Sequence, residues 1–399
     1  MLKNRNILCT SVPSWNANYG ATIIELMKKM GEQNKVLYVQ NPYTIKDFFL
    51  SLLRRDKTFP YKTVLGLSTG LKKYTASNKS EVYVVTPLLT FTINFLPHGF
   101  LHGLLLKLNG WIVRQRVSKY LKRLNMLQDL IHIVAFNPLI GVVNGKKFGE
   151  TILIYHCYDE IGHAPWMKNH GSVYENKFMK MVDAVVVTSK GLLEKKSAWH
   201  KKVFLVKNGA DTELFSSAFQ EQLPSTKTVG FIGSMDDRLD YELLAHAADT
   251  MPEIKFEFIG RVLNDKQRNR LKQFSNVSFI GAKKLQELPD YVKEFSVGII
   301  PFVKNEFTKG IYPLKINEYL AAGIPVVSTD FSFLDDFKGL ITIATNQEEF
   351  VEGIINEIEN DDPRKRIHRK NFAKQNSWDA RTEELSRVIE ELENKSELN

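Results

Sequence analysis

The chain has 399 residues, 43% hydrophobic and 25% charged, with a formal net charge of +9. That length carries about two domains at roughly 100–200 residues each, and the composition is that of a folded chain rather than a disordered one. Two cysteines, Cys9 and Cys157, are too few and too far apart for a disulfide framework or a cysteine metal cage, which points to a reducing compartment.

The opening MLKNRNILCTSVPSW carries basic residues but an apolar run of only four, unlike a signal peptide. RNILCT (5–10) begins a series of short segments rich in β-branched residues: NKVLYVQ (34–40), EVYVVT (81–86), LIHIVAF (130–136), TILIYH (151–156) and AVVVTS (184–189). They lack alternation, as strands buried on both faces of a parallel sheet do. Helical periodicity fills the intervals, for example over 19–33 and 102–124. The longest apolar stretch, 87–108, is interrupted by Pro97, His98 and His102 and falls short of the roughly 18 apolar residues of a membrane span. His98 and His102 stand four apart, but beside Pro97 and Gly99 they read as structural. None of the nine histidines shows H-E-x-x-H spacing.

The Asn208-Gly209 turn and the polar 215–227 read as a linker. The alternation restarts at KTVGFIG (227–233) and continues through IKFEFIG (254–260), NVSFIG (276–281), SVGIIPF (296–302) and IPVVST (324–329). The pattern predicts an α/β protein of two doubly wound, Rossmann-like domains, 1–207 and 208–376, facing across a cleft. The tail reads as helix with one break at Asp362-Pro363, and 377–399 is expected to cross back to the first domain.

Charge divides at the same boundary. Residues 1–210 hold 30 lysines and arginines against 12 aspartates and glutamates, net +18; the remainder holds 24 against 33, net −9. The positive charge concentrates in 46–57 and 107–124, where Phe, Leu and Trp alternate with Lys and Arg. Such helices suit an anionic membrane surface. Alternatively, positions 104, 105, 108, 112, 117 and 121 face the domain core and leave a solvated basic back. No helix-turn-helix or aromatic platform is present, so nucleic acid is not an expected partner.

The segment 296–329 carries the most chemistry. A buried strand ends at Pro301, a loop containing Gly310 follows, Pro313 suits the first turn of a helix, and Gly323 closes it. Lys315 and Glu318, three apart, share one helix face. A lone cation is poorly placed near the positive end of a helix, whereas an anion there meets both first-turn amides and Lys315. Glu318, one turn deeper, is placed to accept hydrogen bonds from vicinal hydroxyls.

With this segment the chain resembles the GT-B-fold glycosyltransferases, most closely the broad family 4 type and its bacterial polysaccharide-assembly relatives. NGADTELF (208–215) looks like that family's interdomain motif, and GFIGSMDDRLDYELL (230–244) like the opening of its nucleotide domain. PLKINEYLAAGIPVVST looks like its donor-site helix, and NSWDAR (376–381) has a common counterpart. The resemblance implies that the second domain binds a nucleotide-sugar, with Glu318 on ribose and Lys315 on the diphosphate. Arg238 and Arg261 are further diphosphate candidates, Gly233 lies in the loop after the domain's first strand, and the amides of Thr308, Gly310 and Tyr312 would lie near the donor sugar. An alternative for Arg238 is a surface arginine balancing Asp236, Asp237 and Asp240. Where the family often shows a second glutamate eight residues before Glu318, this chain has Gly310; Glu306 is a substitute in the loop.

In the first domain, ILIYHCYDEIGHAP (152–165) would project His156, Asp159, Glu160 and His163 into the cleft, beside the loop Ser14–Gly20. His156 and Asp159 are the catalytic candidates. A retaining transferase, the outcome the resemblance favours, needs no separate base; for an inverting one Asp159 is the candidate. The implied activity is transfer of a UDP-linked sugar to a glycan or lipid-linked acceptor, cytoplasmic and peripheral on the inner membrane face. Neither a cofactor nor a metal is expected, since no Asp-x-Asp occurs. The first strand is not followed by G-x-G-x-x-G, which disfavours an oxidoreductase, and no phosphate-binding P-loop or serine nucleophile elbow is visible. A nucleotide-sugar epimerase of the same fold and an inactive binding protein are the alternatives.

Overall fold

The structure is a computed structural model that describes residues 1–16, 21–75, 81–163, 167 and 169–396. The chain divides into two compact units, Met1–Lys207 with Arg381–Asn399, and Asn208–Ala380.

The first unit is built on eight strands: β1 (Asn6–Ser11), β2 (Lys35–Val39), β3 (Leu71–Tyr74), β4 (Glu81–Val85), β5 (Leu130–Ala135), β6 (Ile152–Cys157), β7 (Ala184–Val187) and β8 (Val203–Leu205). Their order is β3-β4-β2-β1-β5-β6-β7-β8. All neighbours are parallel except β3 and β4. Every residue of β5, β6 and β7 is buried, which explains their unbroken apolar sequences. The antiparallel strand β3 was not expected. Its two lysines are exposed at the sheet edge, where charge discourages further strand pairing.

The helix Phe100–Arg123 buries His102, Leu106, Gly110, Val113, Val117 and Leu121 along one stripe. Of the positions expected to face the core, Val117 and Leu121 do, whereas Leu104 and Leu108 are exposed. Its outer face is graded, with Phe100, Leu101, Leu104 and Trp111 exposed in the first half and Lys119, Lys122 and Arg123 in the second. The C-terminal helix Trp378–Ser396 belongs to this unit from Arg381 onward, and Glu393 receives two bonds from Arg5, at 2.8 and 3.2 Å.

The second unit has six parallel strands: β9 (Thr228–Ile232), β10 (Lys255–Ile259), β11 (Val277–Phe279), β12 (Val297–Ile300), β13 (Val326–Thr329) and β14 (Thr342–Ala344), ordered β11-β10-β9-β12-β13-β14. The chain leaves β9 toward β10 and β11, then returns to β12 on its other side, so the strand order reverses between β9 and β12. Crevices at such reversals are where doubly wound sheets hold ligands. The segment 215–227 is more than a linker, because Phe215 and Ala218 are buried in this unit's core. The tail has a second break, at 375–377, where the Asn376 carbonyl accepts from the Ala210 amide at 3.0 Å.

Candidate functional site

The carboxyl ends of β9 and β10 approach each other through two glycines. Gly233 has φ +141° and donates to the Ile259 carbonyl at 2.8 Å, and Gly260 has φ +155°. A Cβ on Gly260 would sit 1.8 Å from the Gly233 carbonyl oxygen, and one on Gly233 would sit 2.4 Å from Lys315 Cε. Only glycine fits at either position. The Lys315 side chain therefore runs directly over the end of β9, the strand at the reversal.

Lys315 and Glu318 lie on the helix Leu314–Ala321, which starts after Pro313 without a side-chain cap. At its far end the Ile324 amide donates to Tyr319 at 3.0 Å and the Gly323 amide to Leu320 at 2.9 Å, the paired bonds of a Schellman closure. Arg369 reaches the Gly323 carbonyl at 3.3 Å, while Arg366 and Arg369 bind Asp361 at 2.7 and 2.6 Å, all three buried. The Tyr319 hydroxyl accepts from the Ile232 amide at 2.9 Å, pinning the middle of the helix to β9.

Among the described residues, neither the Lys315 ammonium nor the Glu318 carboxyl makes a hydrogen bond or ion pair. The ammonium lies 6.0 Å from the ring centroids of both Phe231 and Phe302. Burial, then the charge of Arg238, pulls the Lys315 pKa below its ordinary value, with Glu318 and Asp236 opposing. Glu318 is 8% exposed, and burial pushes its carboxyl up to about 7, with Asp211 adding and Lys315 opposing. A half-buried cation and a buried acid therefore stand one turn apart, each without a charged partner among the described residues.

Arg238 is held by Asp236, through Nε at 2.8 Å and a terminal nitrogen at 2.7 Å, and lies 5.7 Å from the Phe302 ring centroid. Pairing with Asp236, the alternative role, thus describes it, though its charge still reaches Lys315. Asp240 instead caps the helix Tyr241–Thr250. Arg261 is exposed, and its carbonyl accepts from Met235 at 2.8 Å.

The amides of Thr308 to Ile311, expected to lie near the donor sugar, are engaged within their own loop. The Thr308 amide donates to Asn305 Oδ1 at 2.9 Å, and those of Lys309, Gly310 and Ile311 donate to the Asn305, Phe307 and Thr308 carbonyls. The Thr308 hydroxyl donates to Val303 at 2.6 Å. These groups are consumed by the turn itself. Tyr312 receives Asn208 on its carbonyl at 3.1 Å and Asn317 on its hydroxyl at 3.4 Å, which sets the entry to the helix. Sequence reasoning gave no role to Asp211. It caps the helix Thr212–Ser216 through the Leu214 amide at 3.0 Å and acts electrostatically on Glu318. Its signal was present in the quoted NGAD segment.

Residues 226–360 match the family model described as "Glycosyl transferases group 1". They form a group 1 glycosyl transferase domain. Gly233, Arg238, Arg261, Thr308, Gly310, Tyr312, Lys315 and Glu318 all lie inside it. A putative teichuronic acid biosynthesis glycosyltransferase, TuaH of Bacillus subtilis (strain 168), is 28% identical over 170 residues, 39% of this chain. The match spans 42% of that relative's length. Among solved structures, sucrose-phosphate synthase from Thermosynechococcus elongatus aligns with a TM-score of 0.69 at 12% identity, covering 98% of this chain and all of that one. HepE from Anabaena, solved with UDP and glucose, aligns at 0.62 and 16% identity, over 97% of this chain and 100% of its own. Around the group 1 domain, these likenesses establish the GT-B fold.

The first unit holds the remaining candidates. His156, next to last in β6, is 1% exposed, and neither ring nitrogen has a hydrogen-bond partner among the described residues. Burial lowers its pKa to about 4, so the ring is neutral near pH 7. Asp159 is half-buried just beyond the strand, its carbonyl receiving the Cys157 thiol at 3.3 Å. Glu160 is not available as expected: it is buried against Lys195 at 2.7 Å and Lys196 at 3.0 Å, and Lys196 also binds Glu175. That pairing makes it part of the packing beneath the strand. The side chain of His163 and residues 17–20 of the Ser14–Gly20 loop lie outside the described residues. A cavity of about 130 Å³, lined in part by Asn41, Thr90, Ile93, Asn109, Asn137 and Met167, opens beyond the ends of β2, β4 and β5. Nothing in the sequence pattern singled it out, because its walls come from loops distant along the chain.

Proposed function

We propose that this protein transfers a sugar from a UDP-linked donor to a glycan or lipid-linked acceptor in cell-surface polysaccharide assembly. One observation carries the reading. Lys315, half-buried, and Glu318, buried, are both unpartnered among the described residues and stand where the strand order reverses in the group 1 domain. A nucleoside diphosphate supplies what each lacks: phosphate oxygens for the ammonium and the uncapped first-turn amides, and ribose hydroxyls that donate to the carboxylate. The same cation and amides would stabilise the departing diphosphate. The UDP bound in the HepE structure and the description of TuaH as a putative teichuronic acid biosynthesis glycosyltransferase support the choice of donor and pathway class.

The catalytic assignment rests on the first unit. Asp159 is the base of an inverting reaction, and in a retaining one the leaving phosphate takes the acceptor proton. Neutral His156 would offer a hydrogen bond rather than a charge. The reading includes no metal at the reacting centre, on the sequence ground that Asp-x-Asp is absent. Arg261 is retained as a surface candidate for the diphosphate. Product analysis with acceptor present separates transfer from epimerisation.

Lys315→Ala, titrated calorimetrically with UDP and with uridine, tests the phosphate assignment. UDP affinity should fall far more than uridine affinity, and equal losses would refute it.

The graded outer face of Phe100–Arg123, with the exposed Phe49, Leu52 and Leu53 of the helix Ile45–Leu53, supports peripheral binding to an anionic membrane from the cytoplasmic side. Among the described residues, no helix is long and apolar enough to cross a membrane. The protein should co-sediment with anionic vesicles at low salt. Undiminished binding after Lys119, Lys122 and Arg123 are changed to Gln would discredit that surface.

A further inference from the structure

Three histidines from separate segments converge in the first unit. His98 lies in the turn before the helix Phe100–Arg123, His102 in its first turn, and His170 immediately before the helix Gly171–Met179. One potential ligand nitrogen from each lies within 4.8 Å of the other two. His102 and His170 are each 1% exposed, while His98 reaches the surface.

Hydrogen bonding decides which nitrogens carry lone pairs. His170 Nε2 lies 2.9 Å from the Leu96 carbonyl oxygen, which can only accept, so Nε2 carries the proton and Nδ1 does not. His170 Nδ1 is buried without a hydrogen-bond partner among the described residues. His102 Nδ1 meets the Tyr174 hydroxyl at 3.2 Å, and its Nε2 is also buried and unpartnered. Packing alone does not account for two buried, unsatisfied ring nitrogens in one cluster.

We propose that His98, His102 and His170 bind one divalent transition-metal ion of the zinc class. Three imidazoles suit Zn²⁺, Co²⁺, Ni²⁺ or Cu²⁺ and not Mg²⁺ or Ca²⁺, which take oxygen ligands. The Leu96 carbonyl and the Tyr174 hydroxyl are the outer groups that fix ring tautomer and orientation at metal sites. In the structure the His102 and His170 rings stack, with centroids 4.0 Å apart and planes inclined by 11°. A shared ion at about 2.0–2.1 Å from each nitrogen requires them to turn about their Cβ–Cγ bonds until their lone pairs converge. Water completes the coordination. The ion would join the loop after β4 to the starts of two helices, next to Ile93, Leu106 and Met167, which line the 130 Å³ cavity. Its role is to brace that wall, and it is independent of the donor reading.

Metal-free full-length protein titrated with Co²⁺ should take up one equivalent, develop the visible absorption of four-coordinate Co²⁺, and release it to Zn²⁺. His98→Ala changes a surface side chain and should weaken binding about tenfold or more, as should His102→Phe. If His102→Phe does not fold, His98→Ala decides alone. Lack of stoichiometric uptake by the unmodified protein, or unchanged affinity in His98→Ala, overturns the proposal.

Discussion

Replacing Glu318 with Gln tests the electrostatics of the donor helix without inserting or deleting a heavy atom. The carboxyl rises from an ordinary 4.5 to about 7, chiefly through burial. At 1.36 kcal/mol per pH unit, that gap corresponds to about 3 kcal/mol. The sign follows from linkage: between pH 4.5 and about 7 the unfolded chain releases its proton while the folded chain keeps it, so stability falls as pH rises. The contribution is complete below pH 4.5 and gone above about 7, and Gln does not titrate. Unfolding of the Asn208–Ala380 unit, followed by scanning calorimetry from pH 4.5 to 8.5, should therefore give curves that nearly coincide at the acid end. Above pH 7.5 the Gln variant should be more stable by about 3 kcal/mol, or roughly 6–12 °C in Tm for a unit of this size. The same variant should bind UDP more weakly, having lost the anionic acceptor for ribose. Parallel stability curves across the pH range would refute the burial argument.

Further substitutions probe the supports around this helix and the first-unit site. Gly260→Ala places a methyl group against the Gly233 carbonyl oxygen and should destabilise the second unit by more than about 3 kcal/mol, measured by thermal unfolding. A near-normal Tm would show that the strand ends can separate freely. Asp361→Asn leaves the buried Arg366 and Arg369 short of countercharge and should cost about 3–5 kcal/mol in denaturant unfolding; a loss below about 1 kcal/mol would mean Glu357 alone suffices. Asp159→Asn should depress turnover while leaving UDP affinity unchanged, and near-normal turnover would remove it from the reaction.

What could be read from the sequence follows the physics of burial. Strands such as β5, β6 and β12 are buried along their whole length and announce themselves as apolar runs. The strands β3, β8 and β14 have three or four residues with mixed exposure, too little for any periodic signal. Lys315 and Glu318 were legible because the surrounding Pro-helix-Gly frame is local. The exhausted amides of Thr308–Ile311 were not, since Asn305 captures them through a side-chain turn that composition does not distinguish from an open loop. Glu160 was misjudged for a related reason: its partners Lys195 and Lys196 lie 35 residues or more away and become neighbours only through β7 and the helix after it. Likewise, His170 lies far along the chain from His98 and His102 and joins them only in the fold.

The helix Leu314–Ala321 is anchored asymmetrically. Its carboxyl end is bound by the Schellman closure and the Arg366–Asp361–Arg369 cluster, and its middle by the Tyr319 hydroxyl, whereas its amino end lacks a side-chain cap. Folding free energy is thus concentrated at the end remote from the candidate ligand, leaving ligand free energy to act where the helix is polar and unfinished.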